Sequence, residues 1–132
     1  RHYVLFADAG VQNGLYDSGE LIGNELVAET TIERGYKIAD ICVKPSGGAE
    51  TCSVGQLDVL FKRPEPDAYI SVDGSPLLFN ANGNVTSSNL NERARIIISS
   101  PRGDCMSVSV EATGQISVTG VPDTSLAVCN QN

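Results

Sequence analysis

Apolar residues fall at every second position over long stretches of this chain, and the pattern is cleanest between Arg93 and Thr119. There Ala94, Ile96 and Ile98, then Met106, Val108 and Val110, then Ile116 and Val118 alternate with Arg95, Ser107, Ser109, Glu111 and Ser117. A period of two belongs to a strand with one face toward a core and the other toward water. Two breaks, Ser100-Pro101-Arg102-Gly103-Asp104 and Ala112-Thr113-Gly114, have the length and glycine content of hairpin loops. The pattern therefore predicts an antiparallel meander with strands at Arg93 to Ser99, Cys105 to Glu111 and Gln115 to Thr119. Its apolar face has to be covered by something else, since each such Ile or Val contributes about 1.5–3 kcal/mol when fully buried.

Upstream the signals are shorter. Tyr3-Val4-Leu5-Phe6-Ala7 reads as a strand that ends at the turn residues Asn13-Gly14 and Asp17-Ser18-Gly19. From Glu20 to Ile32 two readings stay open: Leu21, Ile22, Leu26 and Val27 approach helical spacing, while Thr30-Thr31-Ile32 looks extended. After Gly35, Tyr36, Ile38 and Ile41 alternate with Lys37, Asp40 and Lys44, a half-exposed strand that runs into Cys42. Leu57 to Phe61 is a strand that must stop by Arg63, because Pro64 and Pro66 remove donors and restrict the residues before them. Ala68 to Val72 is another, ending at Asp73-Gly74, and the Asn- and Ser-rich stretch from Asn80 to Asn91 reads as exposed loop.

A chain of 132 residues has room for one domain, taken as 1–132. Its 41% hydrophobic and 19% charged residues set it apart from disordered chains, and the 13 Gly and 6 Pro among many Val, Ile, Thr and Ser favour β structure. The formal charge is −7, and basic residues cluster no further than Lys62-Arg63 and Arg93/Arg95. Nucleic acid and anionic membrane surfaces need a basic stripe, so neither is expected as a partner. The carboxylates Asp8, Asp17, Glu20, Glu25, Glu29 and Glu33 occur without an intervening Lys or Arg and read as a solvated acidic face. The longest apolar runs, such as Val59-Leu60-Phe61 and Ile96-Ile97-Ile98, are far too short to span a bilayer as a helix.

Cys42, Cys52, Cys105 and Cys129 contain no C-x-x-C knuckle, which disfavours a four-thiolate zinc site and leaves a disulfide framework or four buried thiols. Cys42 and Cys52 flank Pro45-Ser46-Gly47-Gly48, a turn that can fold the two segments together. The expected pairs are Cys42–Cys52 and Cys105–Cys129, which imply an oxidising, extracytoplasmic compartment.

No catalytic constellation and no cofactor site is expected. The sole histidine, His2, lies at the chain start, and no phosphate loop, HExxH or dinucleotide fingerprint occurs. Asp58, Glu65, Asp67 and Asp73 are the nearest approach to a carboxylate cluster and read as loop charges. Asp73-Gly74 and Asn80-x-Asn82-Gly83-Asn84 place oxygens around glycine turns as calcium loops do, but without the EF-hand spacing. Asn84-Val85-Thr86 fits a glycosylation sequon, but that pattern is short enough to occur by chance and the segment reads as a turn. Arg93, Arg95 and Arg102, interspersed with Glu92, Asp104 and Glu111, are expected to form weak rim ion pairs.

The order Arg95-Ile96-Ile97-Ile98-Ser99-Ser100, Cys105-Met106-Ser107-Val108-Ser109-Val110 and Thr113-Gly114-Gln115-Ile116-Ser117-Val118 resembles the carboxyl-terminal hairpin of type IV pilins, above all the H-type pseudopilins and minor pilins. Tyr3 to Asp8, Tyr16 to Glu20, Gly35 to Ile38 and Leu60 to Pro64 look like prepilin-type proteins of this group as well. The resemblance implies an α+β fold, mostly antiparallel β, a pilin-like domain with a carboxyl-terminal meander and any helix short or truncated. It also implies a structural subunit of a pilus or secretion pseudopilus, partnered by other pilin or pseudopilin subunits. On that reading the leader and long apolar helix of the family lie before Arg1. The alternative is a secreted or surface-anchored β-sandwich adhesin or binding module.

Overall fold

The meander forms as the alternation predicts. In the computed structural model, which describes residues 2–8, 13–16, 25–62, 65–87 and 90–120, β6 (Asn91–Ser99), β7 (Cys105–Glu111) and β8 (Ile116–Gly120) pair antiparallel in sequence. The hairpin loops close on Gly103 and Gly114, whose N–H groups donate to Ser100 O and Glu111 O. β3 (Lys37–Pro45) joins the other side of β6, giving a four-stranded sheet in the order β3-β6-β7-β8. A bulge between Ile38 and Asp40 adjusts its register, so that Ile41 faces Ile96 and Val43 faces Ala94.

The other strands are two ribbons. β4 (Leu57–Phe61) and β5 (Ala68–Val72) form one, and β1 (His2–Phe6) and β2 (Leu26–Thr31) the other, both antiparallel. Leu57, Val59, Ile70 and Val72 share one face of the β4–β5 ribbon and pack with Ile38, Ile41, Val43 and Ala94 of the sheet, enclosing Val54. A second, smaller cluster lies on the opposite face of the sheet, where Cys42, Ile97 and Cys105 are buried with Ala39 against them.

Two expectations need correcting. The fold is not α+β or pilin-like: every regular element among the described residues is a β-strand, and the sheets are antiparallel. Leu26 and Val27, offered as part of a helical stripe, lie in or beside the ladder of β1 and β2; Thr30 and Thr31 next to them are β-branched, and β1 supplies the partner an isolated helix would lack. Leu21 and Ile22, the other half of that stripe, lie outside the described residues, as does the tail from Val121.

The second correction concerns which side of the meander faces inward. Ser107 and Ser109, assigned to the solvated face, are buried, as is Ser99 on the same side, while Met106, Ile116 and Val118 on the apolar face are 53%, 57% and 58% exposed. The β4–β5 ribbon packs on the apolar face over β3 and the adjoining part of β6, and Val110 at the near end of β7 is buried as well. On the other face Ser107 Oγ and Thr119 Oγ1 satisfy each other at 2.9 Å, so Ser107 is buried at little cost, whereas the buried Ser99 Oγ has no hydrogen-bond partner among the described residues.

Candidate functional site

The residues that set this molecule apart chemically are on the sheet. In register, Ile98 pairs with Met106, Ile96 with Val108, Val108 with Val118 and Val110 with Ile116. Cross-strand partners share a face, so these side chains form one continuous apolar surface. Ala94 and Val110 are buried at one end of it, and exposure rises toward Met106 and across to β8. The open half carries no charged side chain.

The opposite face is braced by the first disulfide. Cys42 and Cys52 are bonded, as expected, and Val43 and Thr51 exchange both backbone hydrogen bonds at 2.8 Å beside them. Gly48 N donates to Pro45 O at 3.0 Å to close the turn between them. Cys105 is also disulfide-bonded; its expected partner, Cys129, lies outside the described residues. Glu50, inside the loop that the disulfide closes, reaches back over β6. It accepts from Arg95 Nε at 2.9 Å and from a second Arg95 nitrogen, with Arg93 Nη2 at 3.4 Å. The sequence pairs these arginines with Glu92, Asp104 or Glu111. Glu92 instead meets Lys44 at 2.9 Å, which holds its carboxyl below the usual range. The signal for Glu50 was present: a Cys42–Cys52 bond must bring its loop over Arg95, the residue opposite Cys42 in the ladder.

Asp40 lies beside that disulfide, one of its carboxylate oxygens and the two sulfurs within 4.8 Å of one another. Both sulfurs are consumed in the bond, and Asp40 Oδ1 accepts from Ile41 N and Ser53 N, each at 2.8 Å. Here the carboxylate holds a loop. Other aspartates do the same: Asp8 accepts from Gly14 N at 2.9 Å, and Asp73 from Gly55 N at 3.0 Å and Gln56 N at 3.2 Å. Asp58 is buried and takes Gln56 Nε2 at 2.7 Å and Tyr16 N at 3.3 Å. The structure does not gather Asp58, Glu65, Asp67 and Asp73 into a cluster with metal-ligand spacing. Glu65 is engaged by Tyr69, whose hydroxyl donates to it, and by Lys62 at 3.6 Å.

In the candidate calcium loop, Asn80 Oδ1 accepts from Asn82 N at 3.0 Å and Asn84 N at 2.9 Å, and the Lys62 ammonium donates to Gly83 O. A fixed cation already sits on that loop. Asn84 is exposed beside the Phe79–Val85 bridge. His2 is in β1 opposite Thr31. A cleft of about 520 Å³ opens between β5 and the loops after it, where Ser46, Ser71, Ser75 and Ser87 alternate with Leu77 and Leu90. Its lining presents hydroxyls and one amide, Asn91, but no ionisable side chain.

Among known proteins, no family model, no characterised protein and no solved structure matches this chain.

Proposed function

We propose that this chain is a non-catalytic, extracytoplasmic β-module that acts as an assembly subunit, its contact surface being the open apolar half of the meander. The observation that carries the reading is the exposure of Met106, Ile116 and Val118 on one uncharged face of a sheet whose other half is packed. Exposed contiguous apolar surface rimmed by polar residues marks interaction sites on soluble domains. The oxidised Cys42–Cys52 pair supports the compartment. Incorporation into a pilus or pseudopilus filament is the specific form of this proposal. The sequence resemblance of the meander is its support.

The second reading, an adhesin-like binding module, is favoured by the all-β architecture and by the serine-lined cleft. The coding sequence upstream of Arg1 separates the two. A run of about 20 apolar residues with an acidic residue near its start is the expected result for a filament subunit. A cleavable secretory signal directly before Arg1 overturns the filament in favour of the binding module.

A further inference from the structure

The two edges of the four-stranded sheet are treated differently. Along β3 the segment 51–54 covers the edge, with Val43 and Thr51 bonded to each other and Val54 N donating to Ile41 O at 3.1 Å. Along β8 no other described strand pairs with the edge. Glu111 N donates to Gln115 O at 2.9 Å, which fixes the phase of the β7–β8 ladder: residues 115, 117 and 119 turn their backbone groups toward β7. The N–H and C=O groups of Ile116, Val118 and Gly120 point away from the sheet, and among the described residues they have no partner. Natural sheets protect such an edge with Lys, Pro or a bulge. β8 has none of these, and its Ile116 and Val118 side chains are more than half exposed.

We propose that β8 is a self-pairing edge through which two copies of this chain join antiparallel about Val118. The sheet then runs on with four strands from each copy. Three observations select a second copy as the occupant. The outward groups are self-complementary: Val118 exchanges both bonds with Val118 of the second copy, and Ile116 exchanges its pair with Gly120 on either side of the two-fold axis. The side chains match in the same register, with bulky Ile116 opposite Gly120 and Ser117 opposite Thr119, a hydroxyl pair like the one Ser107 and Thr119 already make within the chain. The charge also fits, because residues 112–122 carry no charged side chain in a chain of net charge −7. Two acidic copies meet there without like-charge opposition. The joint is independent of the filament reading, since a two-fold contact closes at a dimer whereas a filament contact is heterologous and open.

Sedimentation equilibrium of the full chain, paired with amide exchange, tests this. A reversible monomer–dimer equilibrium is expected, with the Ile116, Val118 and Gly120 amides exchanging more slowly as concentration rises. Val118→Lys, at an exposed position, is expected to raise the dimer dissociation constant at least about tenfold and to remove that concentration dependence. A chain that stays monomeric to about 1 mM overturns the proposal, and so does a dimer that Val118→Lys leaves unchanged. Should that variant fail to fold, wild-type exchange decides alone: unprotected rates at the three amides at every concentration overturn the edge pairing.

Discussion

Tyr69 and Glu65 form the most perturbed titrating pair described. The hydrogen bond from the Tyr69 hydroxyl to Glu65, with burial and the carboxylates of Glu65 and Asp67 adding to it, pushes the phenol up to about 12. The same bond holds the Glu65 carboxyl below its ordinary value, against partial desolvation and with help from Lys62. The signs follow from linkage. Between the ordinary tyrosine value of 10.0 and about 12 the unfolded chain releases a proton that the fold retains, so stability falls as pH rises through that window. For Glu65 the contribution is present above 4.5 and is lost as pH drops through its lower folded value. Ultraviolet titration should therefore show a phenolate step near 12 that Tyr69→Phe removes and Glu65→Gln moves down. A step indifferent to Glu65→Gln would refute the assignment. Gly114 is a second residue with a sharp requirement: its φ is +89°, and a Cβ there would lie 2.0 Å from Pro66 O. Gly114→Ala is expected to cost about 2 kcal/mol or more in chemical denaturation, since strain and a backbone clash add. The sequence shows Thr113-Gly114 as a turn, but the approach of Pro66 is a tertiary fact with no local trace.

At the scale of elements, short apolar runs bounded by proline and turn residues located Leu57–Phe61 and Ala68–Val72, and period-two alternation located Cys105–Glu111. The reading failed where the pattern was ambiguous and the outcome depended on a distant partner. Leu26–Thr31 is a strand because His2–Phe6 lies beside it, and nothing within the segment specifies that pairing. The same limit hid Glu50 as the partner of Arg93 and Arg95, although the Cys42–Cys52 bond that positions it was legible from the intervening turn. The disulfide is thus the device that fixes this loop over β6. Replacing Cys42 and Cys52 together with Ala is expected to cost about 2–3 kcal/mol, the entropy of a short closed loop. Glu50→Gln in the oxidised chain is expected to cost less, about 1 kcal/mol, because the pair is partly solvated. Denaturation midpoints of the two variants decide it. If the Glu50 substitution costs as much as removing the disulfide, the ion pairs and not the cross-link anchor the loop.

For the whole molecule the unusual property is an apolar face that is half packed and half open. The packed half belongs to the core: Ile41, Val43 and Ala94 are buried there against Ile70, and Ile97 is fully enclosed on the reverse side with Cys42 and Cys105. The open half, at Met106, Ile116 and Val118, gains nothing from the folded monomer beyond what an exposed side chain gains. Alternation along a strand reports that one face is meant for an apolar neighbour, but it is silent on whether that neighbour lies in the same chain. The apolar face expected to be covered is therefore open at Met106 and Ile116, and Ser107, expected on the solvated side, is buried. Stability and surface chemistry should therefore separate by substitution. Ile97→Ala or Ile70→Ala is expected to cost about 2–5 kcal/mol in denaturation experiments, as emptied core sites do. The double variant Met106→Gln, Ile116→Gln is expected to stay within about 1 kcal/mol of the parent while losing most binding of a fluorescent apolar dye and weakening association. A double variant as destabilised as Ile97→Ala would mean that the open face is part of the monomer core, and the assembly reading would lose the surface it depends on.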